Sequence, residues 1–219
     1  MELFTRTWGS PAAPTMILLH GASANGGAWR DFAPRFADGW HVIAPDQRGH
    51  GRSPRAEAYS FDLFADDLNG LLDAFDVEQA VLIGHSMGGV AAYRYAERHP
   101  ERVAAMVLEE APPPVPLGLQ LPARPEGELD YDWSLRPAII AELNAPDPDW
   151  PERLAKIAVP TLVLAGGERS HLPQEEIAAM AGFMPAARLV TIDAGHLVHV
   201  TKPDAFAAAV EEFLAHPNR

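Results

Sequence analysis

Short apolar runs rich in β-branched residues alternate along this chain with longer segments whose apolar residues fall at helical spacing. That alternation limits the fold more than any other feature. Runs at 16–19, 42–44, 80–83, 104–108, 161–165 and 188–192 read as strands. Segments 29–37, 61–75, 87–98, 174–183 and 203–214 read as helices, several with Asp or Pro near their starts. Strands separated by crossover helices run parallel, and a parallel sheet needs both faces covered. The strands are nearly continuously apolar, as burial on both faces requires. The expected fold class is α/β, a mostly parallel central sheet flanked by helices on both faces. A length of 219 residues suits one such domain with a well-buried core.

The alternation breaks once, at 112–158, where APPPVPLGLQLPARPEG and NAPDPDWP concentrate prolines that cannot occupy interior strand positions. The core is therefore expected at 1–111 and 159–219. The proline-rich stretch is expected to be a small lid insertion holding a short helix around 137–143. Trp133 and Trp150 within it are costly to leave exposed, which favours packing over the sheet edge rather than a free loop.

Composition removes several classes of function. No run approaches the eighteen or so uncharged residues that a membrane-spanning helix needs, so no membrane partner is expected. The start, MELFTRTWGSP, shows no basic segment leading into a long apolar stretch. The absence of cysteine excludes disulfides, thiolate nucleophiles and cysteine-ligated metals, and fits a reducing compartment. The expectation is a cytoplasmic protein. A net charge of −13 without a Lys/Arg cluster argues against nucleic acid as partner. The nine histidines show no metal-ligand spacing with supporting carboxylates, so no metal is expected.

The segment AVLIGHSMGGVAAYRYAER puts Ser86 directly between a predicted strand and a predicted helix, with Gly84 and Gly88 two positions to either side. Such a turn strains the serine backbone and exposes its hydroxyl, while the glycines keep neighbouring chain from colliding with it. Met87, at the start of the helix, keeps a backbone N–H free to donate to an oxyanion, with the helix dipole assisting. These residues point to Ser86 as a nucleophile.

On these residues the chain resembles the α/β-hydrolase family almost end to end, failing only in the insertion. Three further segments carry the likeness. HGASANGGAW is similar to the family's oxyanion loop, which implies that the Ala22 N–H is the second oxyanion donor. DQRGHGRS is similar to the arginine-glycine turn, where Asp46 and Arg48 are expected to hold loops together rather than take part in chemistry. DAGHLVHV lies where the family carries its catalytic histidine, which implies His196. A serine hydroxyl needs an imidazole to take its proton and return it to the leaving group. His199, His85 and His20 fit packing or hydrogen-bonding positions instead.

The third member of such a triad is where the chain departs from the family. The resemblance implies an aspartate after the strand that follows the insertion, but TLVLAGGERSHLP offers Arg169 and Ser170 there, with Glu168 one residue early. A subset of the family takes its acid from the preceding strand, which here ends in MVLEEAPPP. Consecutive side chains point to opposite faces, so only one of these two glutamates can meet His196. Alignment with the family's form assigns Glu110, with Glu109 and Glu168 as alternatives. If 109 and 110 are only a solvated strand end, a Ser-His dyad remains.

The resemblance thus implies a cofactor-free serine hydrolase that cleaves a small carboxylic ester or lactone through an acyl-enzyme on Ser86. Acyl transfer, perhydrolysis and carbon–carbon hydrolysis are alternatives on the same residues. A weakly catalytic small-molecule receptor is an alternative of another class. The haloalkane and epoxide branches use aspartate where Ser86 stands. Leu117, Leu119, Leu121, Tyr131 and Trp133 are candidates for lining the substrate pocket, against ordinary packing. Nothing in the sequence reports oligomeric state.

Overall fold

The computed structural model describes residues 1–217. Seven strands form one sheet: β1 (Thr5–Trp8), β2 (Thr15–Leu19), β3 (His41–Pro45), β4 (Ala80–His85), β5 (Val103–Glu109), β6 (Thr161–Ala165) and β7 (Ala187–Thr191). Their order across the sheet is β1-β3-β2-β4-β5-β6-β7. Every pairing is parallel except β1 with β3.

Side chains alternate across each strand, so the sheet separates two cores. Ile17, Leu19, Leu82, Met106 and Leu108 face α1 (Phe61–Ala74), α2 (Met87–Arg98) and α5 (Gln174–Phe183). Met16, Leu18, Val81, Ile83 and Val107 face α7 (Pro203–Ala215) and the segment carrying Trp29, Phe32 and Phe36. All residues of β2, β3, β4 and β6 are buried. Burial on both faces explains why these strands read as unbroken apolar runs. Among the described residues no helix is long and apolar enough to cross a membrane.

Several elements differ from expectation. Segment 29–37 is not an α-helix but two 3₁₀ turns, Gly26–Trp29 and Ala33–Arg35. Pro34 lacks the N–H that a continuous helix would bond to the carbonyl four residues back. The Asn25 side chain starts the first turn earlier by accepting the Gly27 N–H at 2.8 Å. The unexpected β1 is a four-residue edge strand in antiparallel register with β3, from Thr5 opposite Pro45 to Trp8 opposite Val42.

The insertion contains α3 (Leu135–Asn144) and the short α4 (Trp150–Leu154). It is tied to the turn after β3, with Gly51 N–H donating to the Asp130 carbonyl and Asp132 N–H to the Gly49 carbonyl, both at 2.7 Å. Asn144 closes its extended arm onto α3, accepting from Leu119 N–H at 2.7 Å and donating to its carbonyl at 2.8 Å. A last short helix, α6 (Val198–Thr201), precedes α7.

Candidate active site

The strand order reverses at β2, whose chain successors lie on opposite sides of it: β3 on one, β4 on the other. Connections leaving the carboxyl ends of β2 and β4 therefore diverge, and an open parallel sheet forms its crevice there. His20, Gly21 and Ala22 follow β2, and Ser86 follows β4. A cavity of about 580 Å³ opens at this point, lined by Ser86, Met87, Ala22 and His196 among others.

Ser86 has φ 51° and ψ −116°, a left-handed conformation that costs a non-glycine residue about 1–3 kcal/mol. Its N–H donates to the Glu109 carbonyl at 2.9 Å, and its carbonyl accepts from Gly89 and Val90 at the head of α2. The strain persists because both flanks are fixed. A Cβ on Gly84 would overlap the Gly88 carbonyl, so strand and helix pack at a distance only glycine allows.

His196 lies in the loop between β7 and α6. Ala194 and Gly195 both donate their N–H to the Gly166 carbonyl, at 3.0 and 2.8 Å, and His85 Nε2–H donates to the His196 carbonyl at 2.9 Å. Its ring bridges two of the sequence-predicted residues. Nε2 lies 3.0 Å from Ser86 Oγ, and Nδ1 lies 3.1 Å from Glu110 Oε2. An ionised carboxylate only accepts, so the proton belongs on Nδ1, which leaves Nε2 to accept from the serine hydroxyl.

Glu110 is fully buried and also has a positive φ, 46°. Burial opposes its ionisation, but hydrogen bonds from His196, Ser170, the Gly166 N–H and Gln174 outweigh that and hold its carboxyl below the usual range. Gly166 N–H donates to Oε1 at 2.5 Å, Gln174 Nε2 to the same oxygen at 3.2 Å, and the Ser170 hydroxyl to Oε2. Sequence reasoning passed over Ser170 and Gln174. Both lie in the loop and helix start after β6, where the triad acid was expected on family grounds, and they donate to an acid arriving from β5 instead.

Glu109 faces the other way. It is fully buried and accepts from both the His199 N–H, at 2.8 Å, and His199 Nδ1, at 2.7 Å. Burial raises its pKa, yet the neighbouring His85 and His199 pull it below the ordinary value. His199 in turn stacks on Trp29 with ring centroids 4.5 Å apart. The two adjacent glutamates are thus not a solvated strand end. Each anchors a histidine of the loop and helix that follow β7. Glu168 is exposed, and the neighbouring Arg169 pairs with Asp193.

Ala22 and Met87 both line the cavity, and neither backbone N–H has a hydrogen-bond partner among the described residues. The loop after β2 is fixed by buried polar contacts. His20 is fully buried, donates from Nδ1 to the Gly21 carbonyl at 2.8 Å and accepts the Gln47 N–H on Nε2 at 3.0 Å. Burial keeps it neutral by holding its pKa well below the ordinary value. Asp46 accepts from Gly26 N–H at 2.8 Å and Arg52 N–H at 2.9 Å, while Arg48 clasps Asp67 through Nε at 2.5 Å and Nη2 at 2.8 Å. These charged residues of the arginine-glycine turn hold loops and do not border the cavity.

The expected pocket lining needs correction. Leu117, Tyr131 and Trp133 do not line the cavity. Leu117 packs against the core, and Tyr131 bridges to His50 and stacks on its ring at 6.1 Å, with Trp133 beside it. Of the candidates, Leu119 does line the cavity, while Leu121 is exposed; the rest of the wall comes from one face of α3, Arg136, Ile139, Ile140 and Leu143, together with His171 and Leu172. Tyr131 and Trp133 serve the turn that pins the insertion, a contact set by tertiary pairing that local sequence does not encode.

Residues 14–137 match the family described as alpha/beta hydrolase fold, and the chain belongs to that family. It is 32% identical to 2-hydroxymuconate semialdehyde hydrolase of Pseudomonas sp. (strain CF600), over 94% of this chain and 88% of that protein. It is 43% identical over 118 residues to non-heme chloroperoxidase CPO-A1 of Kitasatospora aureofaciens, a match to 52% of this chain but only 42% of that protein. Among solved structures, Est816, described as an N-acyl homoserine lactone degrading enzyme, superposes with a TM-score of 0.78 at 28% identity, covering 96% of each chain. The chain thus spans less than half the length of the chloroperoxidase it matches, but most of the semialdehyde hydrolase and of the lactone-degrading enzyme.

Proposed function

We propose that the protein is a serine hydrolase that cleaves small carboxylic esters or lactones through an acyl-enzyme on Ser86. The observation that carries this reading is the continuous hydrogen-bonded line from Ser86 Oγ through His196 to Glu110. His196 Nε2 takes the hydroxyl proton as Oγ attacks the carbonyl carbon, and the oxyanion that forms is held by the N–H groups of Ala22 and Met87. Collapse expels the alkoxide, which receives the proton from His196. A water molecule then attacks the acyl-enzyme by the same route, releasing the acid and restoring Ser86. Glu110 stays ionised throughout and keeps the proton on Nδ1. In a lactone the leaving alkoxide stays tethered to the acyl group, so one product forms.

The cavity volume fits small-molecule sites in general, and the insertion acts as a short lid forming one of its walls. The lactone-degrading structural relative supports the ester or lactone reading. Carbon–carbon hydrolysis is the second reading, because the relative matched over 94% of this chain acts on a semialdehyde. A panel of 4-nitrophenyl esters and lactones, run against wild type and Ser86→Ala, separates them. Turnover of several esters or lactones that vanishes in the variant supports the proposal. Failure of the whole panel, with turnover of a vinylogous diketone, favours carbon–carbon cleavage.

A further inference from the structure

The cavity beside Ser86 is lined largely by apolar side chains and histidines, and its lining holds one arginine and no aspartate or glutamate. That arginine, Arg136, makes no ion pair and no side-chain hydrogen bond among the described residues. In a chain of net charge −13, the arginines at 48, 94, 98, 102 and 153 have carboxylate partners, while those at 30, 52, 55, 124 and 188, like Arg136, have none among the described residues; of these unpaired arginines, Arg136 is the one that borders the cavity. Its place on the helix adds to the case. Arg136 is the second residue of α3, where the positive end of the helix dipole repels a cation and attracts an anion. The first-turn backbone cannot serve an anion by itself. Leu135 and Arg136 N–H already donate to the carbonyls of Asp132 and Trp133, and Pro137 has no N–H.

We infer that the substrate carries a free carboxylate, which the Arg136 guanidinium pairs with while Ile139, Ile140 and Leu143 hold the aliphatic part between that anion and the scissile carbonyl. This rests on the serine-hydrolase reading of the same cavity. The favoured substrates are half-esters of short dicarboxylic acids, or esters whose alcohol part bears a carboxylate, and neutral esters of equal length are poorer. Guanidinium suits this role because its fork matches a carboxylate in two parallel hydrogen bonds and stays charged at any working pH.

The test compares two matched pairs: 4-nitrophenyl hydrogen glutarate against 4-nitrophenyl pentanoate, and 3-carboxyphenyl pentanoate against phenyl pentanoate. The inference expects wild type to prefer the charged member of at least one pair. Arg136→Gln should lower kcat/KM for that member about tenfold to a hundredfold. The neutral partner should change less than about threefold, and Arg136→Lys should recover part of the loss. No charge preference in either pair, or equal losses on both members, overturns it. Calorimetric titration of glutarate into Ser86→Ala, with and without Arg136→Gln, reads the anion site without turnover. If no ester is cleaved but glutarate binding depends on Arg136, the hydrolase reading fails and the carboxylate site stands. If esters are cleaved and glutarate binding is indifferent to Arg136, the carboxylate site fails and the hydrolase reading stands.

Discussion

Replacing Glu110 by Gln changes one atom and should cost about 10⁴ in kcat, and the reason lies in the number of donors around that side chain. Four donors enter its two oxygens: His196 Nδ1 and Ser170 Oγ at Oε2, Gly166 N–H and Gln174 Nε2 at Oε1. A carboxamide has one accepting oxygen and one donating nitrogen. With its nitrogen toward Gly166, two N–H groups would face each other with no means of escape, at a cost of about 1–3 kcal/mol. With its nitrogen toward His196, both neighbours can adapt, because the Ser170 hydroxyl can rotate and the imidazole can change tautomer. His196 then carries its proton on Nε2 and presents a donor to Ser86, which removes the base. Loss of the correct tautomer is worth about 10⁴ in turnover, or roughly 5 kcal/mol of barrier. The assay is kcat on a 4-nitrophenyl ester, with thermal melting to show that the fold is intact. Retention of more than a tenth of wild-type kcat would refute this reasoning, as would an equal loss in Glu109→Gln.

Glu109→Gln should instead reduce kcat by less than about tenfold while lowering stability by about 1–3 kcal/mol, since its carboxylate ties α6 to the end of β5; denaturant melts and initial rates on the same sample distinguish the two. Ser86→Gly should abolish ester turnover yet be about 1 kcal/mol more stable than Ser86→Ala, because glycine relieves the positive φ at that turn; equal melting points would argue against stored strain. Burial pushes the His85 imidazole down from 6.5 to about 4, so the folded protein binds fewer protons than the unfolded chain in that window. The stability His85 contributes is complete above pH 6.5 and falls as pH drops toward 4, by about 3 kcal/mol. His85→Asn should therefore lose less stability than wild type between pH 7 and pH 4.5 in urea titrations, and parallel losses would remove His85 from the account.

Much of this was legible because it is written locally. The strands were readable because both their faces are buried, and Ser86 because its signal is a fixed spacing across one turn. Glu110 was assigned from the resemblance to the family's form, because alternation along β5 says that only one of two neighbours can reach a given histidine and not which. What was not legible depends on distant pairing. The edge strand β1 is short and polar in composition, and it exists because β3 offers it an antiparallel partner. Segment 29–37 carries helical spacing, but Pro34 and the early cap at Asn25 divide it into 3₁₀ turns. The roles of Ser170 and Gln174 follow from where the β6 loop meets Glu110, and the sequence gives no spacing for that. Leu117, Tyr131 and Trp133 look like pocket residues in composition, but the bridge between His50 and Tyr131 turns that stretch toward the arginine-glycine turn. The same bridge leaves Arg136, Ile139 and Ile140 to form the wall.

The central claim is that Ser86 is a nucleophile activated by His196 and aligned by Glu110. Intact-protein mass spectrometry after treatment with a fluorophosphonate tests it most directly. A nucleophilic Ser86 forms one adduct per chain, mapping by peptide digestion to the segment containing Ser86, absent in Ser86→Ala and formed far more slowly in His196→Ala and Glu110→Gln. An unmodified wild-type protein, or an adduct that persists in Ser86→Ala, would contradict it.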